Sequence, residues 1–184
     1  MQEISLNILD IVQNSIRADA KLIKITIEES PLKDVFSFSV EDNGCGMDEE
    51  MLKRVTDPFV TTRTTRKVGL GISLLRSSAQ QAGGDIKIES KVGVGTVLRA
   101  FFSYSHIDRQ PLGDIAAVMM SLISMNPDID FYYTHIFEDK KFTLDTKELR
   151  AILGEEVSLS EISVAQWIGE YISSGLTEIY GGAE

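Results

Sequence analysis

The sequence predicts an α+β fold, a two-layer α/β sandwich in which helices cover one face of a mixed or antiparallel sheet. Segments with helical spacing of apolar residues alternate along residues 1–105 with pairs of strand-like segments. The charge then changes, from 13 Lys and Arg against 14 Asp and Glu over residues 1–104 to 5 against 14 over 105–184. We therefore expect a domain at 1–105 and a small acidic α/β appendage at 106–184.

The elements of residues 1–105 follow one another without a linker or a repeat. A first helix places Ile4, Ile8 and Val12 on one face, and a hairpin follows in "LIKITIE" and "VFSFSV". Asp48 is the expected N-cap of a short helix in "DEEMLKRVT", and two glycines stop a further helix in "GISLLRSSAQQA". A second hairpin in "DIKIES" and "TVLRAFFSYS" completes the domain.

The appendage is predicted to contain three helices and two strands. Its first helix lies in "PLGDIAAVMMSLIS", with Pro111 in the first turn, and its last in "SEISVAQWIGEYISS". Between them come the strands "DIDFYYTHIF" and "KKFTLDT" and the helix "TKELRAIL". Trp167 and Tyr171 are four residues apart, and we expect both in the core. The acidic charge either docks a protein partner or confers solubility, and the sequence leaves both readings open.

Composition excludes several classes of function. The net charge of −10 argues against a general binder of nucleic acid or of anionic membranes, since both require a basic surface. A single cysteine, Cys45, excludes an internal disulfide framework. Met1 leads directly into amphipathic sequence without a leader-like apolar run, so we expect a soluble cytoplasmic protein.

The stretch "EDNGCGM" follows the second predicted strand and combines an acid with two glycines. The Asp42 carboxylate can only accept hydrogen bonds, so it suits the exocyclic amine of adenine, whereas guanine offers a carbonyl there. Gly44 and Gly46 are expected to supply positive φ angles and to let the backbone approach a flat ligand. A simple turn between strand and helix accounts for the same residues equally well.

A polar stripe on the first helix and a glycine pair further along suggest a phosphate site. Asp10, Asn14 and Arg17 lie on one helix face, where an amide oxygen beside an acid suits Mg²⁺, although a solvated helix face explains the stripe as well. In "DPFVTTRTTRKVGLGI", hydroxyls and three cations precede a G-x-G that opens a helix, an arrangement that attracts phosphate and predicts a lid. The stretch is neither a Walker A loop nor a Rossmann fingerprint.

Five segments resemble, in sequence order, the N, G1, F, G2 and G3 boxes of the GHKL (Bergerat-fold) ATP-binding domains. They are "NILDIVQNS", "DNGCG", "PFVTTR", "GLGIS" and "GVGT". The superfamily contains gyrase-type topoisomerases, heat-shock chaperones, sensor histidine kinases, anti-sigma serine kinases and mismatch-repair ATPases. The short predicted lid is most similar to histidine kinases, whereas "QNSIRADA" and "DNGCGM" resemble the mismatch-repair branch.

The resemblance implies ATP and Mg²⁺ as cofactors and a role for each matching residue. It implies that Asn14 chelates Mg²⁺ and that Asp42 binds the adenine amine, supported by Thr96. Arg17 and Arg63 lie at positions where histidine kinases of this superfamily often carry a basic residue that contacts phosphate. The nucleotide-binding set implied in this way is Asn14, Arg17, Asp42, Gly44, Gly46, Met47, Thr62, Arg63, Gly69, Leu70, Gly71 and Thr96.

Two departures from the family pattern leave the chemistry open. Asp10 stands where hydrolytic members carry a glutamate base, so hydrolysis by Asp10 is possible rather than implied. The first box starts at the N-terminus, so we expect a stand-alone kinase or ATPase, catalytic or regulatory, that acts on a separate protein. A nucleotide-sensing module without turnover and a DNA-repair-type ATPase are the alternatives. For the appendage we recognise no family.

One further motif resembles the phosphoacceptor box of histidine kinases. In "SHIDRQPLGDI", His106, Arg109, Pro111 and Leu112 match the spacing of that box, but the acidic residue that should follow His106 is displaced by Ile107. His106 is also expected at a strand-to-helix junction rather than within a long helix. We therefore expect a coincidence.

Overall fold

The computed structural model of the protein describes residues 3–56 and 70–181. Within these ranges six helices accompany one six-stranded sheet, and the predicted α+β class is confirmed. The helices are α1 (Ile4–Arg17), α2 (Glu49–Thr56), α3 (Leu70–Gln81), α4 (Ile115–Met125), α5 (Thr146–Leu153) and α6 (Ile162–Ile179). The strands are β1 (Leu22–Ser30), β2 (Val35–Asp42), β3 (Asp85–Lys91), β4 (Gly95–Ser103), β5 (Asp130–Phe137) and β6 (Lys140–Asp145). None of the helices in these ranges is long and apolar enough to cross a bilayer.

The sheet is mixed and runs through the whole described chain in the order β3-β4-β2-β1-β5-β6. Both hairpins predicted for residues 1–105 are confirmed, because β1 pairs with β2 and β3 with β4 in antiparallel fashion. β5 pairs with β1 in parallel, and β6 pairs antiparallel with β5. The strands of the C-terminal part therefore extend the same sheet.

The helices pack on one face of the sheet, as the sequence predicts. α1 contacts β2 and α3, α3 contacts β3 and β4, and α6 contacts β5, β6 and α4. The apolar residues of the strands that face these helices, such as Ile25, Phe38 and Leu98, are buried. The alternate positions face away and include exposed charged residues such as Lys24 and Arg99, so the sandwich has two layers.

The first helix of the C-terminal part begins four residues later than predicted. α4 starts at Ile115, and the Asp114 carboxylate caps it by accepting a 2.9 Å hydrogen bond from the Ala117 amide. Pro111 precedes the helix because the carbonyls of Pro111 and Leu112 accept the amides of Ile4 and Ser5 at 2.9 and 2.8 Å. This segment therefore satisfies the amides at the start of α1 instead of starting a helix of its own.

The prediction that Trp167 and Tyr171 lie in the core is wrong. Both side chains are exposed, by 47% and 41%. The core-facing stripe of α6 is one residue further along at each turn and consists of aliphatic residues and a glycine: Val164, Ile168, Ile172, Gly175 and Ile179. That stripe already fills the space above the sheet, so the two aromatic residues lie on its flank.

A buried polar cluster fastens the C-terminal part to β1. The Tyr133 hydroxyl lies 2.7 Å from Nδ1 of His135, and Nε2 of His135 lies 2.8 Å from a carboxylate oxygen of Glu29. Tyr180, which follows α6, donates a hydrogen bond to the same Glu29 oxygen. Glu29 and His135 are almost fully buried, so each needs these partners. The cluster therefore joins β1, β5 and the end of α6.

Candidate functional site

A cavity of about 120 Å³ lies between α1, the start of α3 and the inner face of the sheet. Most of its lining is apolar, with Ile11, Val40, Ile72, Ile88 and Leu98 among the contributors. Its polar lining comes from the ends of elements: Asn14, Ser15, Asp42 and Thr96. An apolar cavity with a few converging polar groups is the usual form of a small-molecule site.

Asp42 is held in place by two hydrogen bonds. The Ser15 hydroxyl donates to its Oδ2 at 2.6 Å, and the Gly44 amide donates to its Oδ1 at 2.9 Å. A carboxylate has about four acceptor positions, so both oxygens retain acceptor capacity toward the cavity. Sequence reasoning missed Ser15. The signal for it was a serine on the apolar face of α1, four residues after Ile11.

The loop after Asp42 needs its two glycines for different reasons. Gly46 has a φ of +70°, and a β-carbon there would lie 2.1 Å from the Lys91 carbonyl oxygen. The expected positive φ at Gly44 is wrong, because the described positive-φ residues do not include it. A β-carbon at Gly44 would instead lie 2.7 Å from the Ala18 carbonyl oxygen, so close packing against the end of α1 selects glycine here.

A second polar pair, Thr96 on β4 and Ser90 on β3, lies beside Asp42 in the sheet. Thr96 lies directly opposite Asp42 in the register of β2 and β4 and directly opposite Ser90 in the register of β3 and β4. The Thr96 and Ser90 hydroxyl oxygens are 2.8 Å apart, and Ser90 also accepts the Met47 amide at 2.8 Å. Met47 lines the cavity. Sequence reasoning missed Ser90, although it is a polar residue at an inward-facing position of its strand.

The polar face of α1 lies beside the start of α3. Oδ1 of Asn14 accepts a hydrogen bond from Arg17 at 3.2 Å. The Asp10 carboxylate is exposed and lies 4.0 Å from where a β-carbon on Gly71 would be. Gly71 is the second residue of α3, where backbone amides lack partners within the helix. The fold therefore brings the acid, the amide and a helix N-terminus to one rim of the cavity.

Part of the predicted site is not covered by this geometry. Thr62, Arg63 and Gly69, together with the predicted lid, lie outside the described residues. Leu70 is the first residue of α3, and its side chain is not described.

A sequence model of the family "Histidine kinase-, DNA gyrase B-, and HSP90-like ATPase" matches residues 2–106. The chain belongs to this family. The GHKL resemblance of the five boxes is confirmed, and residues 2–106 form an ATP-binding domain of the histidine kinase-like type. The cavity described above lies within the matched residues.

Curated relatives of this GHKL domain include proteins named as kinases. "Sensor kinase CckA" of Brucella abortus (strain 2308) is 37% identical over 83 residues, which cover 45% of this chain and 9% of that protein. "Signal transduction histidine-protein kinase AtoS" of Escherichia coli (strain K12) is 36% identical over 89 residues, covering 48% and 14%. The similarity is therefore confined to a small part of those relatives.

A solved structure shares the fold over a longer stretch. "Crystal Structure of N terminal domain of a DNA repair protein" superimposes with a TM-score of 0.56, covers 84% of this chain and 58% of that one, and is 16% identical. This likeness concerns the fold. Its coverage exceeds the extent of residues 2–106, so it includes elements of the C-terminal part.

Proposed function

We propose that the protein binds Mg²⁺-ATP in this cavity and acts on a separate protein as a kinase or ATPase domain. The observation that carries the proposal is the fixed carboxylate of Asp42 in a mostly apolar cavity. Apolar side chains pack on both faces of an adenine ring, and the adenine amine donates to Asp42. A guanine carbonyl would leave two acceptors facing each other, which selects against GTP. Thr96 supports the same contact through water.

Asn14 is the residue that would hold Mg²⁺, together with oxygens of the nucleotide phosphates. Mg²⁺ prefers hard oxygen ligands and keeps several waters, so it needs few protein groups. The donor set fits, because the side-chain amide of Asn14 supplies a hard oxygen at the cavity rim. When bound, Mg²⁺ neutralises phosphate charge.

The remaining phosphate contacts come from the rim and from the predicted lid. Arg17 is exposed beside Asn14 and would turn from that amide to a phosphate when nucleotide binds. The amides at the start of α3, including that of Gly71, would donate hydrogen bonds to phosphate oxygens. We assign the same role to four residues by resemblance to the family boxes: Thr62, Arg63, Gly69 and Leu70.

Asp10 is the candidate general base. Its carboxylate lies beside the start of α3, where we place the phosphates, so it could orient a water molecule or an acceptor hydroxyl for attack on the γ-phosphoryl group. Aspartate is one methylene shorter than the glutamate of hydrolytic relatives. We therefore propose transfer to a protein in trans as the main activity, with slow hydrolysis as its side reaction.

A turnover assay tests this assignment. With γ-labelled ATP and excess Mg²⁺, the Asp10→Asn variant should bind ATP nearly as well as wild type and release phosphate about 10²-fold more slowly, the usual scale for a positioned base. Asp19→Asn is the matched control, since Asp19 is an exposed acid with a φ of +59°, which asparagine tolerates. Equal turnover in all three proteins would leave Asp10 without a catalytic role. Tight binding without turnover in wild type would favour a nucleotide-sensing module.

A DNA-repair-type ATPase is the second candidate, favoured by the shared fold of the solved DNA repair domain. The net charge of −10 argues against it, because duplex DNA is held by cationic side chains. We propose instead a cytoplasmic protein that acts without nucleic acid or membrane. Stimulation of phosphate release by duplex DNA would reverse this choice.

We propose that the two parts of the chain have different roles, with the boundary between residues 105 and 106. Residues 1–105 bind the nucleotide, and residues 106–184 contact the protein partner. The charge of the second part supports this division, because 14 acids against 5 bases attract a basic protein surface.

A further inference from the structure

α6 presents two aromatic side chains to solvent that the core does not use. Trp167 and Tyr171 are one turn apart, and their rings stack with centroids 5.1 Å apart and 9° between their planes. The Tyr171 ring also packs against Phe142 of β6, at 5.4 Å between centroids. Since the rings already support each other, little side-chain entropy is lost when a ligand covers them. The pair is a pre-formed flat surface.

The C-terminal stretch of sequence that contains this pair is acidic and has no basic residue. Residues 151–184 contain six Glu and no Lys, Arg or His. One of them, Glu170, is exposed on α6 directly before Tyr171. In the described part of this stretch, no glutamate takes part in an ion pair. Aromatic faces and uncompensated carboxylates attract cations, and a planar guanidinium suits both.

We propose that the face of α6 formed by Trp167, Glu170 and Tyr171 docks a basic segment of the protein partner, with an arginine laid on the aromatic pair. This inference rests on the proposed action on a separate protein and names the surface used. Charge complementarity selects the occupant. A second copy of this chain would bring two negative faces together, which opposes self-association.

The aromatic surface can be tested by substitution, because other residues of α6 anchor the helix to the core. Ile168 and Ile172 are fully buried and anchor the helix, whereas Trp167 and Tyr171 lie on its exposed flank. Substitution of the exposed pair should therefore leave the fold intact. Trp167 is also the single tryptophan of the chain, so its fluorescence reports directly on this face.

The test uses a short peptide of alternating arginine and glycine, and a matched peptide with glutamine in place of arginine. The arginine peptide should change Trp167 fluorescence saturably, more weakly at higher salt, and the glutamine peptide should not. By anisotropy of the labelled arginine peptide, Trp167→Ala and Tyr171→Ala should each weaken binding about tenfold, on the scale of a desolvated cation–π contact. Tyr132→Ala, an exposed tyrosine on the other sheet face, should bind as wild type does.

Three results would overturn the proposal. They are unchanged peptide affinity in both aromatic variants, equal binding of the glutamine peptide, and a dimer of wild type that Trp167→Ala dissolves in sedimentation equilibrium. ATP affinity measured on the same proteins distinguishes failure of the docking face from failure of the nucleotide site. Normal ATP binding without peptide binding refutes the docking face and leaves the nucleotide site standing. Peptide binding without ATP binding refutes the nucleotide site and leaves the docking face standing.

Discussion

The Ser15 hydroxyl on α1 donates a hydrogen bond of 2.6 Å to the Asp42 carboxylate at the end of β2. Ser15 is 3% exposed, so the donor side of this bond is shielded from bulk water. It fixes one carboxylate oxygen while the Gly44 amide fixes the other. The orientation of Asp42 is therefore set before any ligand enters, and the ordering cost of binding is reduced.

Ser15→Ala should weaken ATP binding by about tenfold, because loss of a hydrogen bond to a charged group corresponds to about 1.4 kcal/mol or more. Calorimetric titration measures this. Ser124→Ala on α4 is the control, since Ser124 bonds only to a backbone carbonyl of its own helix among the described contacts. Equal ATP affinity in Ser15→Ala and wild type would show that Asp42 needs no support from α1.

Asn14→Ala should abolish the dependence of ATP binding on Mg²⁺. Wild type is expected to bind ATP at least about tenfold more tightly with Mg²⁺ than with chelator, and the variant should bind equally in both. Gln13→Ala, a change at the exposed neighbouring position of the same helix, should keep the wild-type ratio. A Mg²⁺ effect of normal size in Asn14→Ala would assign the metal to other residues.

Local pattern predicted the strands, the mixed or antiparallel sheet and the polar groups at its edge, because periodicity follows directly from which face is buried. It failed where long-range contacts decide. Pro111 lies outside α4 because its carbonyl accepts an amide at the start of α1. Trp167 lies outside the core because the buried stripe of α6 is formed by aliphatic residues and a glycine. Ser15 and Ser90 were missed because their roles depend on cross-strand and helix-to-sheet partners that spacing does not reveal.

Tyr180→Phe should lower the free energy of unfolding by about 1–3 kcal/mol, since the buried Glu29 carboxylate loses a donor. Urea denaturation measures the change. Tyr132→Phe is the control, because Tyr132 is an exposed tyrosine of β5 on the sheet face that α6 does not cover. Stability equal to wild type in Tyr180→Phe would mean that the cluster does not fasten α6 to the sheet.

The same cluster predicts how stability responds to alkaline pH. Burial, and then the Glu29 carboxylate, raises the pKa of Tyr133 and of Tyr180 above the ordinary tyrosine value of about 10. Because the folded state keeps both hydroxyls protonated, their contribution is complete below about pH 10 and is lost as the pH rises above it. Urea midpoints of wild type should fall above pH 10 more steeply than those of Tyr180→Phe. Parallel curves would contradict this.

The histidine kinase-like motif around His106 should not be phosphorylated. His106 lies in the connection between β4 and α4, where its Nδ1 accepts the Asp108 amide at 3.1 Å, rather than in a helix. We therefore expect no acid-labile, base-stable label after incubation with γ-labelled ATP. A label that His106→Gln abolishes and His135→Gln retains would make the protein an autophosphorylating kinase.

The central claim is that Asp42 recognises adenine, and nucleotide titration of wild type and Asp42→Asn tests it most directly. The Gly44 amide should keep the asparagine oxygen as its partner, so the new NH₂ group replaces the oxygen that accepts from Ser15. An NH₂ group is a donor, and it would oppose the adenine amine instead of accepting from it. We predict that wild type prefers ATP to GTP, and that Asp42→Asn binds ATP at least about tenfold more weakly and loses the preference. If the variant binds ATP as tightly as wild type, or if GTP competes equally in wild type, the assignment is wrong.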